Sequence, residues 1–189
     1  MKKIVWQNTE QMGLEFLFVK EGSIGINIES TVIQTDQDAS FCLEYAVTLS
    51  KDWEMRGIDF KEKGTERYLT LSTNGKGKWF DENGQTIQAL EGAKDIDLSC
   101  TPFTNTLPIN RNKWQINEPI DLEVVYIDRN MNYRKRNQRY TLVEEEEQRK
   151  FQYQSGSFTT IFTVDSFGFI TNYPGFFKQL YHQEGEGDL

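Results

Sequence analysis

The sequence predicts a mainly β protein: a single curved antiparallel sheet of roughly ten strands, an open or half barrel, around a short helix or irregular crossing segment. Three observations carry that prediction. Runs of alternating apolar residues recur along the chain, Asn-Gly and Gly-terminated turns punctuate them, and one polar segment with two prolines breaks the pattern midway.

Taken in order, Ile24, Ile26 and Ile28 alternate with polar positions, and Phe41, Leu43, Tyr45, Val47 and Leu49 repeat the pattern. Later runs are Ile120, Leu122, Val124 and Tyr126, then Phe158, Thr160, Phe162 and Val164. A period of two places one face inward and the other toward solvent or a cavity. Asn74-Gly75, Asn83-Gly84 and the stretch from Asp165 to Gly168 supply turn residues between such runs. The result is a meander of hairpins rather than βαβ units. Helix signals are short: Leu107 to Trp114, with Pro108 tolerated early in a helix, and Phe176 to His182 after Pro174-Gly175. Residues 1–182 read as one domain and 183–189 as a disordered polar tail.

Composition narrows the function. The 189 residues carry 21 Lys and Arg against 29 Asp and Glu, a net charge of −8 and a pI near 4.8. That balance opposes nucleic acid and anionic membrane surfaces, which require a basic patch. The basic run of Arg129, Arg134, Lys135, Arg136 and Arg139 reads as a solvated hairpin. Thirteen Phe, eight Tyr and four Trp let a modest apolar content build a core. No apolar run approaches the roughly 20 residues of a membrane span. The N-terminus turns polar after Trp6, unlike a secretory leader. Cys42 and Cys100 have no metal or redox spacing, so a cytoplasmic protein with two free thiols is expected.

Catalytic chemistry has few footholds. His182 is the single histidine and lies near the C-terminus, where it reads as a surface residue; this opposes Ser-His-Asp, Cys-His and histidine-zinc arrangements. Gly75 and Gly77 fit a hairpin and form no nucleotide cradle. Glu144 to Glu147 lacks the spacing of a calcium loop. No cofactor or metal is expected. Asp95 and Asp97 share a face if extended and could divide acid and base roles. Their quieter use is to anchor an irregular crossing with Thr hydroxyls, backbone N–H groups and Arg111. Pro102 and Pro108 each remove a backbone donor, so the Asp95–Arg111 stretch is expected to leave the sheet and cross its concave face.

That stretch resembles the signature of the glycolipid-binding family formerly described as a domain of unknown function. The residues carrying it are Asp95-Ile96-Asp97, then Thr101-Pro102-Phe103-Thr104-Asn105-Thr106-Leu107-Pro108, then Arg111. Flanking signals are similar: Gly13-Leu14-Glu15, Trp53 with Arg56, Gly77 to Trp79, Tyr126, and Asp165 through Tyr173-Pro174-Gly175. The chain departs from the family pattern at Ala93, Asn110 and Asn112. The resemblance implies a strongly curved sheet wrapped partly around a short central helix, like the open barrels of bacterial lipoprotein carriers.

The combined reading is a non-catalytic binding protein with an amphiphile cavity, for a glycolipid or another lipid-like ligand, inside the curved sheet. Trp53, Phe60, Trp79 and Tyr126 are candidates for its apolar end, and Asp97, Thr104, Asn105 and Arg111 for its polar end. Asp95, Thr101 and Arg56 complete the candidate ligand-binding set through the motif and its flanking signals. The alternatives are a hydrolase using Asp95 or Asp97 with Arg111 as an anion clamp, and an interaction module that pairs through a sheet edge. The sequence leaves the oligomeric state open.

Overall fold

A computed structural model describes residues 1–35 and 39–185. They form one 14-stranded sheet, more strands than the ten expected. The strands are β1 (Lys2–Asn8), β2 (Met12–Glu21), β3 (Ile26–Thr35), β4 (Ser40–Leu49), β5 (Met55–Glu62), β6 (Tyr68–Thr73), β7 (Trp79–Phe80), β8 (Asp95–Leu98), β9 (Pro119–Ile127), β10 (Tyr133–Glu145), β11 (Arg149–Ser155), β12 (Phe158–Val164), β13 (Ile170–Tyr173) and β14 (Phe177–Glu184). The extra strands are mostly short. β7 has two residues and β8 and β13 four each, too few to display an alternation.

The order is β7-β6-β5-β4-β3-β2-β1-β14-β13-β12-β11-β10-β9-β8, so β7 and β8 are the two edges and the sheet is curved without closing. The chain ends meet in the middle, where Lys2 to Asn8 pair antiparallel with β14. This ladder corrects the expected C-terminal helix: residues 177–184 become a strand because β1 and β13 offer partners on both sides. Gln183 and Glu184, expected in a disordered tail, pair with Lys3 and Lys2, and residues 186–189 of that tail lie outside the described residues.

All pairings are antiparallel except β8 with β9. A parallel pair needs a crossover, because the second strand must start again from the same end. The proline-bearing segment is that crossover. It leaves the sheet after Leu98, makes a 3-10 turn at Phe103–Asn105 and helix α1 (Thr106–Arg111), and re-enters at Pro119.

Five turns share one plan. The side-chain oxygen of Ser50, Asn74, Asp81, Asp128 or Asp165 accepts the backbone N–H groups two and four residues onward. The residue three onward takes a positive φ: Trp53 at 62°, Gly77 at 88°, Gly84 at 75°, Met131 at 66° and Gly168 at 82°. Glycine meets this requirement without steric cost, whereas Trp53 and Met131 meet it against their preference.

The core divides in two. Trp6, Leu17, Ile28, Tyr45, Val47, Phe60 and Trp79, from β1–β7, pack with Ile96, Leu98, Val125 and Ile127. Tyr140, Leu142, Phe151, Phe162 and Tyr173 pack with Ile109, Leu122 and Trp114. Strand β9 therefore contributes to both clusters, Val125 and Ile127 to the first and Leu122 to the second, whereas Ile96 and Leu98 of β8 belong to the first. The β8 edge is tucked inside the curl, and the crossing segment fills the space beside it; residues 101–109 are all buried.

Candidate binding site

The crossing segment supplies its own missing hydrogen bonds. Thr101 Oγ1 accepts from Phe103 N at 3.0 Å, and Thr104 Oγ1 accepts from Leu98 N at 3.3 Å. Asn105 Nδ2 donates to Pro102 O, Asn112 Nδ2 to Pro108 O, and Trp114 Nε1 to Ile109 O. Each pairing avoids the roughly 1–3 kcal/mol of an orphaned buried group. Tyr140 then ties the segment to β10, its hydroxyl donating to Asn105 Oδ1 at 2.8 Å.

Asp95 and Asp97 face the same side of β8 but have different surroundings. Asp95 is fully buried, and both its oxygens are taken by Arg111, Nε at 3.1 Å and Nη2 at 2.5 Å. Burial pushes its carboxyl up, and the guanidinium opposes that. Asp97 is half-buried. Its Oδ2 accepts from Gln138 Nε2 at 2.6 Å, and its Oδ1 stands 3.5 Å from Thr104 Oγ1. Burial raises the Asp97 carboxyl as well, offset by Gln138, the charge of Arg136 and Thr104.

Beside Asp97 lies a cleft of about 250 Å³. Asp97, Thr101, Asn105, Tyr126 and Arg136 line it with the aromatic residues Tyr153, Phe158, Tyr173, Phe176 and Phe177. Arg136 lies over the Tyr126 ring, 4.0 Å from its centroid, and forms no salt bridge among the described residues. Burial pushes the Tyr153 and Tyr173 hydroxyls up, so both remain protonated donors. Phe158 and Phe176 meet edge to face at 5.4 Å, with Phe158 38% exposed.

The structure brings four of the eleven expected ligand-binding residues to this cleft: Asp97, Thr101, Asn105 and Tyr126. Thr104 touches it through Asp97. Asp95 and Arg111 hold each other outside its lining. Trp79 is fully buried and donates to Ala93 O at 2.7 Å, joining the two edges of the sheet. Phe60 is core. Trp53 packs against Phe169, and Arg56 pairs with Glu54 near the Asn74 turn.

Sequence reasoning missed Arg136, Gln138, Tyr153 and Tyr173. Arg136 belonged to the basic run read as solvated. Within that run Lys135 pairs with Glu123 and Arg139 with Asp121, whereas Arg136 shares the inward parity of Gln138, Tyr140 and Leu142. Following that alternation back from Tyr140 is the signal that would have found it. His182 also differs from its surface reading: it is half-buried on β14, with Nδ1 3.1 Å from Asp165 Oδ2 and its ring against Phe167 and Phe169.

Glu15 stands apart as a fully enclosed acid. Its Oε1 accepts from Ser30 Oγ at 2.8 Å and Tyr45 Oη at 2.5 Å, and Oε2 has no partner among the described residues. Burial raises its pKa from 4.5 to about 7, against the opposing pull of the Thr101, Tyr45 and Ser30 hydroxyls. Cys42 and Cys100 are unpaired thiols, and burial pushes that of Cys100 up. Among the described residues, no group of three His, Cys, Asp or Glu is placed to share a metal ion, and no helix is long and apolar enough to cross a membrane.

The family model described as "Putative glycolipid-binding" matches residues 3–179. The chain belongs to that family. Its fold is similar to the crystal structure of a DUF1089 family protein from Pseudomonas aeruginosa, with a TM-score of 0.77 and 28% identity over 88% of this chain and 92% of that one. No curated protein matches. The family points to a binding function, and the motif that first suggested it forms the crossover and one wall of the cleft.

Proposed function

We propose that this glycolipid-family chain binds the hydroxyl-rich head group of an amphiphile in the cleft beside Asp97, without catalysis. The observation carrying this reading is the placement of Asp97, braced from behind by Gln138, beside an Arg136 that forms no salt bridge among the described residues. A sugar presents adjacent hydroxyls, each both donor and acceptor. A carboxylate, a guanidinium, the Asn105 amide and two protonated tyrosines supply matching groups, and aromatic faces suit the apolar side of a sugar ring. The concave interior is packed by the crossing segment, so an apolar tail would run along Phe158 and Phe176 at the mouth. Two unbridged thiols support a cytoplasmic setting.

The test pairs native mass spectrometry of freshly purified protein with titration of octyl β-glucoside below its micellar concentration. Octyl β-glucoside should bind saturably, octanol should bind at least tenfold more weakly, and Arg136→Gln should weaken the glucoside at least tenfold. Equal binding of both probes, or an unaffected Arg136→Gln variant, overturns the reading.

A further inference from the structure

A second, larger cavity lies on the opposite, outer face of the sheet and has no role in the reading above. It is a groove of about 670 Å³ across β2 to β6, within the range of small-molecule sites. Strand register explains its shape. One cross-strand row runs Phe18, Glu29, Ala46, Asp59, Thr70, and the adjacent row runs Phe16, Thr31, Glu44, Lys61, Tyr68. Small side chains at Thr31, Ala46 and Thr70 leave a hollow. Phe16 and Phe18 wall one side and Tyr68 the other, with Phe16 49% and Tyr68 62% exposed.

Charge fixes what suits this hollow. Glu44 is paired with Lys61 at 2.9 Å and lies near Lys63. Glu29 and Asp59 have no cationic partner among the described residues, and Asp59 accepts only the Thr70 hydroxyl at 2.7 Å. They flank Ala46 in one row on strands two apart, so their backbones are roughly 10 Å apart at about 4.8 Å per strand. A positive group resting over Ala46 lies between both carboxylates. The Glu82 carboxylate beside Tyr68, which raises that hydroxyl's pKa, adds a further negative charge at the rim. Aromatic faces at both walls also attract an organic cation.

We infer that this outer groove is a second binding site, for a small amphiphilic organic cation: an ammonium head between Glu29 and Asp59 and an apolar body against Phe16 and Phe18. An anionic amphiphile meets repulsion there, and a neutral one lacks the ionic contact.

The test titrates octylammonium, octanoate and octyl β-glucoside into the whole protein, following backbone NMR shifts. Octylammonium should saturate with shifts clustered on β2 to β6, and octanoate should bind at least tenfold more weakly. Glu29→Gln with Asp59→Asn should weaken octylammonium at least tenfold while leaving octyl β-glucoside binding at the Asp97 cleft unchanged. Ala46→Phe, which fills the hollow, should abolish octylammonium binding. Should a variant fold poorly, the wild type decides: raising salt from 50 to 500 mM should weaken octylammonium severalfold. Equal binding of octanoate and octylammonium, indifference to salt, shifts confined to the Asp97 cleft, or a dimer that buries β2 to β6 overturns the inference.

Discussion

Asp95 and Asp97 stand two residues apart on one short strand, facing the same way, yet their regions are built for different ends. Around Asp95 everything is closed: a bidentate guanidinium, full burial, no cleft. Around Asp97 the carboxylate is braced on one side and open on the other, beside Arg136, which has no salt bridge among the described residues. The contrast teaches that one motif can carry both scaffold and site. Asp95 and Arg111 fasten the crossover to the sheet, whereas Asp97, Thr101 and Asn105 face the cleft and are held by contacts of their own.

The largest effect should come from breaking the closed region. Arg111→Ala leaves a buried carboxylate unpaired and should destabilise the fold by about 3–5 kcal/mol. Denaturant unfolding measures this. A loss under about 1 kcal/mol would place the fastening elsewhere.

Glu15 sharpens the comparison with an acid that is closed but unpaired. Its folded pKa is raised from 4.5 to about 7, so the fold holds its proton more tightly than the unfolded chain does. The stability it contributes is fully present below about pH 4.5 and is lost as pH rises through about 7. The swing is on the order of 3 kcal/mol, at about 1.4 kcal/mol per pKa unit. Glu15→Gln should flatten that part of the stability–pH curve, gaining on wild type at pH 8 relative to pH 5. Parallel curves for the two proteins would remove Glu15 as the titrating group.

Asp97→Asn should change stability by only about 1 kcal/mol, because Thr104 and Gln138 can still bond to an amide and no ion pair is broken. Its expected signature is at least tenfold weaker octyl β-glucoside binding. The smallest effect belongs to Arg139→Ala. This removes the exposed pair with Asp121, and melting should stay unchanged despite contacts of 2.7 and 2.8 Å.

The long alternating runs of β3, β4, β9 and β12 and the Asn-Gly turns were readable because their signals are local. The proline segment was readable as a departure from the sheet for the same reason. β7, β8 and β13 were not, since two to four residues cannot show a period. Nor was β14, whose state depends on a partner about 175 residues earlier, a non-local pairing that propensity cannot anticipate. Asp97, Thr101, Asn105 and Tyr126, expected through the motif and its flanking signals, line the cleft beside β8. Arg111 was assigned to the polar end and instead closes on Asp95. Arg136 was hidden by its charged neighbours, which face outward from alternate positions of the same strand. Trp53 has the character of a cavity-lining aromatic in the sequence, and in the structure its positive φ of 62° belongs to a turn.

The most direct test of scaffold beside site is to measure stability and octyl β-glucoside affinity together for Arg111→Ala and Arg136→Gln, at a temperature where both are folded. The account predicts opposite profiles: Arg111→Ala melts much earlier yet keeps affinity within about threefold, and Arg136→Gln melts like wild type yet loses at least tenfold in affinity. Loss of affinity in Arg111→Ala with full retention in Arg136→Gln would contradict it.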